Sequence, residues 1–237
     1  MADPAERKLW QGMLAILSND PVTAIRTLRS GADDPKALGV AYYLARQYLL
    51  FREQMQEAIR RKPGDFGPYY FLGRHYDADL DDCQQAAAWF RRALERSPSY
   101  ARARAYLGSC LERLGEPAEA ERAYRTALPL PLAQLGLARL ELAAGRTREA
   151  LVWARKAMDG DPGDAGGWRL LSRILESEGQ LASAIEALRK AGRAAPQDAS
   201  LRYRLHRLYR TSGDAAKAKE TLAEYERLRA IYGAQPE

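Results

Sequence analysis

Residues 202–210 read RYRLHRLYR, with four arginines, two tyrosines and a histidine in nine positions. Guanidinium groups pair bidentately with carboxylates and phosphates, and aromatic rings stack on bases, so such a strip could hold an acidic peptide or a nucleic acid. A second stretch, HYDADLDDC (75–83), alternates Asp77, Asp79 and Asp81 in the manner of a calcium loop. That loop also needs glycine at its sixth place and glutamate at its twelfth, where this chain has Asp82 and Ala88. The stretch reads instead as a turn one residue longer than its counterparts, with Asp82 capping the next helix and Gln85 completing a capping box. Cys83 and Cys110 have neither metal nor redox spacing and read as small apolar fillers. His75 and His206 have no serine or cysteine partner in the pattern, and Trp10, Trp89, Trp153 and Trp168 stand at or beside large packing positions. There is no phosphate loop, zinc spacing or nucleophile elbow, and GDAGGW (163–168) serves as a connector. The expectation is a chain that is not an enzyme and uses no cofactor and no metal.

The elements that must position these residues are helices. Three valines, six isoleucines and six threonines stand against abundant Ala, Leu, Arg and Glu in 237 residues. β-branched side chains favour strands, whereas the abundant types lose little entropy in a helix. The net charge of +6 suits acidic partners, although the basic residues are interspersed with Glu and Asp. Thirty arginines against seven lysines fit a GC-rich, bacterial genome. MADPAERKLWQG at the start lacks the apolar core of a signal peptide, and ALGVAYYLA (37–45) is too short to cross a bilayer. A cytoplasmic chain without membrane insertion is expected, or a periplasmic or secreted one if a signal peptide has been removed.

The organising signal is an internal repeat. In YLGSCLERLGEPAEAERAYRTAL (106–128), Gly115 interrupts a helical pattern, as a turn between two helices does. Leu107-Gly108 and Leu111 precede it; Ala120, Tyr124 and Ala127 follow. The same arrangement surrounds Gly145, Gly179 and Gly213, and an upstream copy runs from Tyr69 to Pro98 with one extra loop residue. Ala86, Ala120, Ala150, Ala184 and Ala218 are spaced 34, 30, 34 and 34. Small residues at matched positions let two helices approach, and each pair leaves an apolar flank for the next to bury. Prolines 63, 98, 162 and 196 fall between pairs, where a helix must end.

These features resemble the tetratricopeptide repeat family, a helix-turn-helix of 34 residues with a small residue in helix A and two alanines in helix B. The resemblance implies an all-α fold, a right-handed superhelical α-solenoid of about seven antiparallel helix pairs forming a single array over 1–237. Five well-formed repeats occupy 66–230 and two degenerate ones occupy 1–65. The first degenerate repeat combines Gly12 with NDPVTAIRTL (19–28). The second has Leu38-Gly39 and Ala58 but no turn glycine, and looks shortened. The irregular repeats would cap one end, and the polar outer face of AKAKETLAEYERLRA (216–230) would close the other. The spacing of 30 falls at ALPLPLAQL (127–135), where Pro129 and Pro131 are expected to leave almost no connector and to change the twist locally.

In the family, the side of helix A opposite its packing set lines a ligand groove. Residues six and ten before the turn point that way, at about 100° per residue. The first column reads Arg74, Ser109, Arg139, Arg173 and Arg207; the second reads Tyr70, Ala105, Leu135, Arg169 and Tyr203. Three before the turn stand Asp77, Glu112, Leu142, Glu176 and Arg210. The resemblance therefore offers Tyr70, Arg74, Asp77, Ser109, Arg139, Arg169, Arg173, Tyr203, Arg207 and Arg210 as groove residues. Two readings stay open. The arginines form a solvated face, paired to acids one turn along their own helices. Or they receive an acidic ligand, whether a carboxylate-rich peptide, a free C-terminus or a phosphate. The lysine-and-asparagine carboxylate clamp of some family members has no asparagine here and lysine only at Lys36. The expected function is a non-enzymatic scaffold that binds an acidic peptide or partner segment in its groove. The alternatives are an RNA-binding helical-repeat protein, with nucleic acid disfavoured because the central repeats lack stacking aromatics, and a subunit that assembles or self-associates.

Overall fold

The computed structural model describes residues 3–233, which form fourteen helices and no strand. In chain order these are α1 (Pro4–Leu17), α2 (Pro21–Arg29), α3 (Pro35–Leu44), α4 (Tyr48–Arg61), α5 (Phe66–Ala78), α6 (Cys83–Arg96) and α7 (Ala101–Arg113). They continue as α8 (Pro117–Thr126), α9 (Pro131–Ala143), α10 (Thr147–Gly160), α11 (Ala165–Ser177), α12 (Leu181–Ala194), α13 (Ala199–Thr211) and α14 (Ala215–Tyr232). Odd helices are A helices of the repeat and even ones are B helices, giving seven A–B pairs along the chain. The residues cluster into two compact units that divide between Glu116 and Pro117, so α1–α7 build the first and α8–α14 the second.

Each turn from A to B places one residue at positive φ. Glycine fills that place at Gly115, Gly145, Gly179 and Gly213, with φ between 71° and 81°. This is the left-handed region that glycine enters without a Cβ clash. In the first two pairs Asn19 (φ 55°) and Arg46 (φ 56°) hold the same geometry, and Asp81 (φ 54°) does so in the longer turn after α5. The second repeat therefore has its turn, with arginine where the template has glycine. It is also short, since α3 has 10 residues where α5, α7, α9, α11 and α13 have 13.

Packing within a pair sets a small A residue against a large B residue. A Cβ on Gly12 would stand 2.5 Å from Leu28, one on Gly39 2.5 Å from Met55, and one on Gly73 2.7 Å from the Phe90 ring. Ala24, Ala86, Ala120, Ala150, Ala184 and Ala218 are all buried at the start of their B helices, while Phe51 takes that slot in α4. Pairs then stack, B helix on next A helix: α2 on α3, α4 on α5 and α6 on α7 in the first unit, and α8 on α9, α10 on α11 and α12 on α13 in the second.

The spacing of 30 corrects the expectation of a lost connector. Residues 127–130 form a four-residue link from α8 to α9, matching 97–100, 161–164 and 195–198 elsewhere. The four missing residues come out of the helix: α8 has 10 residues, while α6, α10 and α12 have 14. One turn of helix B is absent, and Pro129 and Pro131 prevent its recovery.

Candidate ligand-binding faces

In the first unit the candidate residues sit among aromatic rings. Arg74 on α5 places its guanidinium carbon 3.9 Å from the centre of the Tyr106 ring, a cation–π contact. Tyr70, one turn earlier, meets Tyr100 edge-on at 5.1 Å and Phe71 at 5.6 Å. Burial pushes the Tyr70 phenol up to about 12, Tyr100 and Tyr106 add to this, and Arg74 pulls the other way. Beside them Val40, Tyr43, Leu44, Phe51, Tyr70, Phe71 and Arg74 line a cavity of about 290 Å³. The Arg74 Nε is buried without a hydrogen-bond partner. Ser109 lies half-buried on α7.

Asp77 pairs across helices rather than along its own. Arg113 on α7 donates to its Oδ1 at 2.8 Å, and the Cys110 thiol lies 3.8 Å from the same oxygen. The other aspartates of the loop have separate partners. Asp79 accepts from Tyr48 at 3.0 Å and faces the buried His75 Nδ1 at 3.0 Å. Burial would raise the Asp79 carboxyl, but the hydrogen bonds of His75, Tyr43 and Tyr48 hold it below its usual range. Asp81 meets Arg113, and Asp82 caps α6 by accepting from the Gln85 amide at 2.9 Å. The sequence pattern offers His75 no serine or cysteine partner, but the Asp four residues on was a readable signal for this pair. Lys36, the only lysine in the groove columns, is tied to Asp65 at 2.6 Å.

In the second unit the column splits by environment. Arg139 on α9 donates to the Tyr124 hydroxyl at 3.1 Å and is half-buried. Arg169 and Arg173 on α11, and Arg207 and Arg210 on α13, are exposed. Among the described residues, the Arg173 and Arg207 side chains make no ion pair or hydrogen bond. Glu176, the acid one turn beyond Arg173, is exposed and forms no ion pair with it. Tyr203 lies 6.1 Å from the His206 ring and 5.2 Å from that of Tyr225.

Arg204 on α13 lies within electrostatic reach of Arg169, Arg173 and Glu176 on α11. It is half-buried, and burial lowers its pKa. Glu176 opposes that shift, while Arg169, Arg173 and Arg207 lower it further. A guanidinium keeps its proton at any physiological pH, so the shift registers first the cost of burying a charge, to which the neighbouring arginines add and which Glu176 opposes. Only cross-helix geometry brings Arg204 into the group, because its register differs from the two columns.

Matches to the tetratricopeptide repeat family cover residues 75–134 and 135–199 with one description of the repeat and 175–229 with another. The chain belongs to the tetratricopeptide repeat family. As such a protein it is an interaction scaffold, in a family that is generally non-enzymatic. Solved tetratricopeptide structures share the fold. PilW, a widely conserved type IV pilus biogenesis factor, gives a TM-score of 0.72 at 21% identity, covering 85% of this chain and 93% of that one. YrrB, a tetratricopeptide protein with an unusual peptide-binding site, gives 0.54 at 20% identity over 76% of this chain and 95% of that one. The APC/C hetero-tetramer Cut9-Hcn1 gives 0.78 at 15% identity over 94% of this chain, which spans 46% of that chain. No curated protein matches the sequence. Among the described residues, no helix is long and apolar enough to cross a membrane.

Proposed function

We propose that this tetratricopeptide repeat protein holds an acidic segment of a partner protein against the arginine face of α11 and α13, and that it does so without catalysis. The observation that carries the reading is the exposed set of Arg169 and Arg173 on α11 and Arg207 on α13, with Arg204 half-buried within their electrostatic reach and Glu176 opposing them. Repulsion within such a group costs free energy in the unliganded protein. A carboxylate-rich segment offsets it, and the planar fork of each guanidinium donates two parallel hydrogen bonds to a carboxylate. The internal neutralisation that would leave a merely solvated face is weak here, because Arg173 and Arg207 are exposed without ion pairs among the described residues.

Shallow grooves bind through several modest contacts, so a dissociation constant of roughly micromolar, about −8 kcal/mol, is expected. A fluorescein-labelled glutamate-rich peptide serves as the probe, read by anisotropy. The combined Arg173→Glu and Arg207→Glu variant should lose binding while its helical circular dichroism stays unchanged. Undiminished binding by that variant would sink the assignment. A mixed-sequence oligoribonucleotide that bound in place of the peptide, weakening steeply with salt, would move the ligand class to RNA.

A further inference from the structure

The first unit gathers three side chains with metal-ligating chemistry. Asp77 comes from the last turn of α5, Cys83 opens α6, and Cys110 lies on α7. One ligand atom from each lies within 4.8 Å of the other two. Both cysteines are buried and free, and the Asp77 carboxylate is largely covered. The distances suit a small tetrahedral cation. With zinc–sulfur bonds of about 2.3 Å and a zinc–oxygen bond of about 2.1 Å, sulfur and oxygen ligands stand about 3.5 Å apart. Cys110 Sγ and Asp77 Oδ1 are 3.8 Å apart, so that pair closes by a few tenths of an ångström, and the Cys83 sulfur, within 4.8 Å of both, closes by up to about 1 Å.

We propose that Asp77, Cys83 and Cys110 form a binding site for a thiophilic divalent cation, zinc in the first instance, with a water in the fourth position. Two sulfur ligands select a soft or borderline metal over magnesium or calcium. In the binding step the hydrated zinc ion gives up all but one of its waters to form two Zn–S bonds and one Zn–O bond, and the two thiol protons leave to solvent. Two thiolates, a carboxylate and a divalent ion carry one net negative charge. Arg113, already 2.8 Å from Asp77, supplies the compensating positive charge. The ion would join α5, α6 and α7, helices of two successive repeats, so its binding stabilises the folded first unit.

Full-length reduced protein is titrated with zinc(II) and, separately, with cobalt(II). One ion per chain is expected, with a near-ultraviolet thiolate-to-cobalt charge-transfer band, a higher melting temperature with zinc, and slower iodoacetamide alkylation of the cysteines. Cys83→Ser, Cys110→Ser and Asp77→Asn should each weaken zinc binding by more than about 10-fold. Charge-transfer and alkylation measurements on the unsubstituted protein keep the test decisive should a variant fold poorly. A cobalt spectrum without the thiolate band, zinc affinity indifferent to all three substitutions, or a Cys83–Cys110 disulfide recovered in place of the metal under the same reducing conditions would each overturn the proposal.

Discussion

His206 Nδ1 lies 2.8 Å from the carbonyl oxygen of Ala218, and Ser172 Oγ lies 2.8 Å from that of Ala184, the same register one repeat earlier. Both residues occupy the small-residue slot of helix A and donate to the first buried alanine of helix B. The carbonyl can only accept, so Nδ1 of His206 carries a proton. Nitrogen-15 NMR of the imidazole checks this directly. His206→Val removes the donor and should cost about 1–2 kcal/mol in denaturant unfolding, whereas His206→Ser, which restores the Ser172 arrangement, should cost less than half of that.

Arg46 sits exposed at φ 56° in the turn between α3 and α4. A non-glycine residue in the left-handed region is strained by about 1 kcal/mol. Arg46→Gly should therefore stabilise the protein by up to about 0.5–1 kcal/mol, part of the gain being offset by the greater freedom of glycine in the unfolded chain. A fall in the denaturation midpoint would contradict the turn geometry.

Gly73 faces the Phe90 ring so closely that an added Cβ would come within 2.7 Å of two ring carbons. Gly73→Ala should cost about 1–3 kcal/mol by overpacking. Combining it with Phe90→Leu should recover part of the loss, which a double-mutant cycle measures.

The Asp65 carboxylate caps α5 by accepting from the Gly67 amide at 2.9 Å and pairs with Lys36 at 2.6 Å. Burial would raise its pKa, but Lys36 and the Gly67 amide outweigh it and hold the value below the usual carboxylate range. A lowered folded pKa means the contribution is complete above the unfolded value of about 4, and is lost as pH falls through the folded one. Asp65→Asn should be less stable at pH 7, and the gap should narrow as the pH falls below about 4. A gap of constant size from pH 7 to pH 2 would show that the charge contributes nothing.

Arg204→Leu removes the half-buried member of the arginine group. It should raise stability by about 0.5–1 kcal/mol and weaken binding of the glutamate-rich probe. Opposite signs for the two effects are the mark of a charge kept for binding; a loss of stability would assign Arg204 a packing role through its aliphatic stem.

The repeat was legible wherever glycine marked the turn. Gly115, Gly145, Gly179 and Gly213 break a helical pattern visibly and NDP (19–21) marks the turn at Asn19, whereas Arg46 adopts the same backbone without a residue type that announces it. The missing turn of α8 was visible as a spacing of 30, but a count along the chain cannot say whether helix or connector lost the residues. Of the candidate site, periodicity placed Arg173 and Arg207 on one register, since that depends only on a residue's own helix. The company of Arg204, and the meeting of Asp77 with Cys110 and Arg113, depend on how neighbouring helices stack. No single-helix period carries that information.

The lost turn of α8 also bears on how this chain can be edited. From Ala150 through Ala184 to Ala218 the period is 34, so the pairs α9/α10, α11/α12 and α13/α14 are interchangeable parts in their spacing. A variant that skips 34 residues between equivalent points of the Gly179 and Gly213 turns keeps every later residue in step. A cut that takes in α8 has no such freedom: Tyr124 fills the space that Gly136 leaves open, where a Cβ would run into its ring, and the shortened helix fits its neighbour alone. Modularity in this array runs from α9 onward, and α8 is a custom joint.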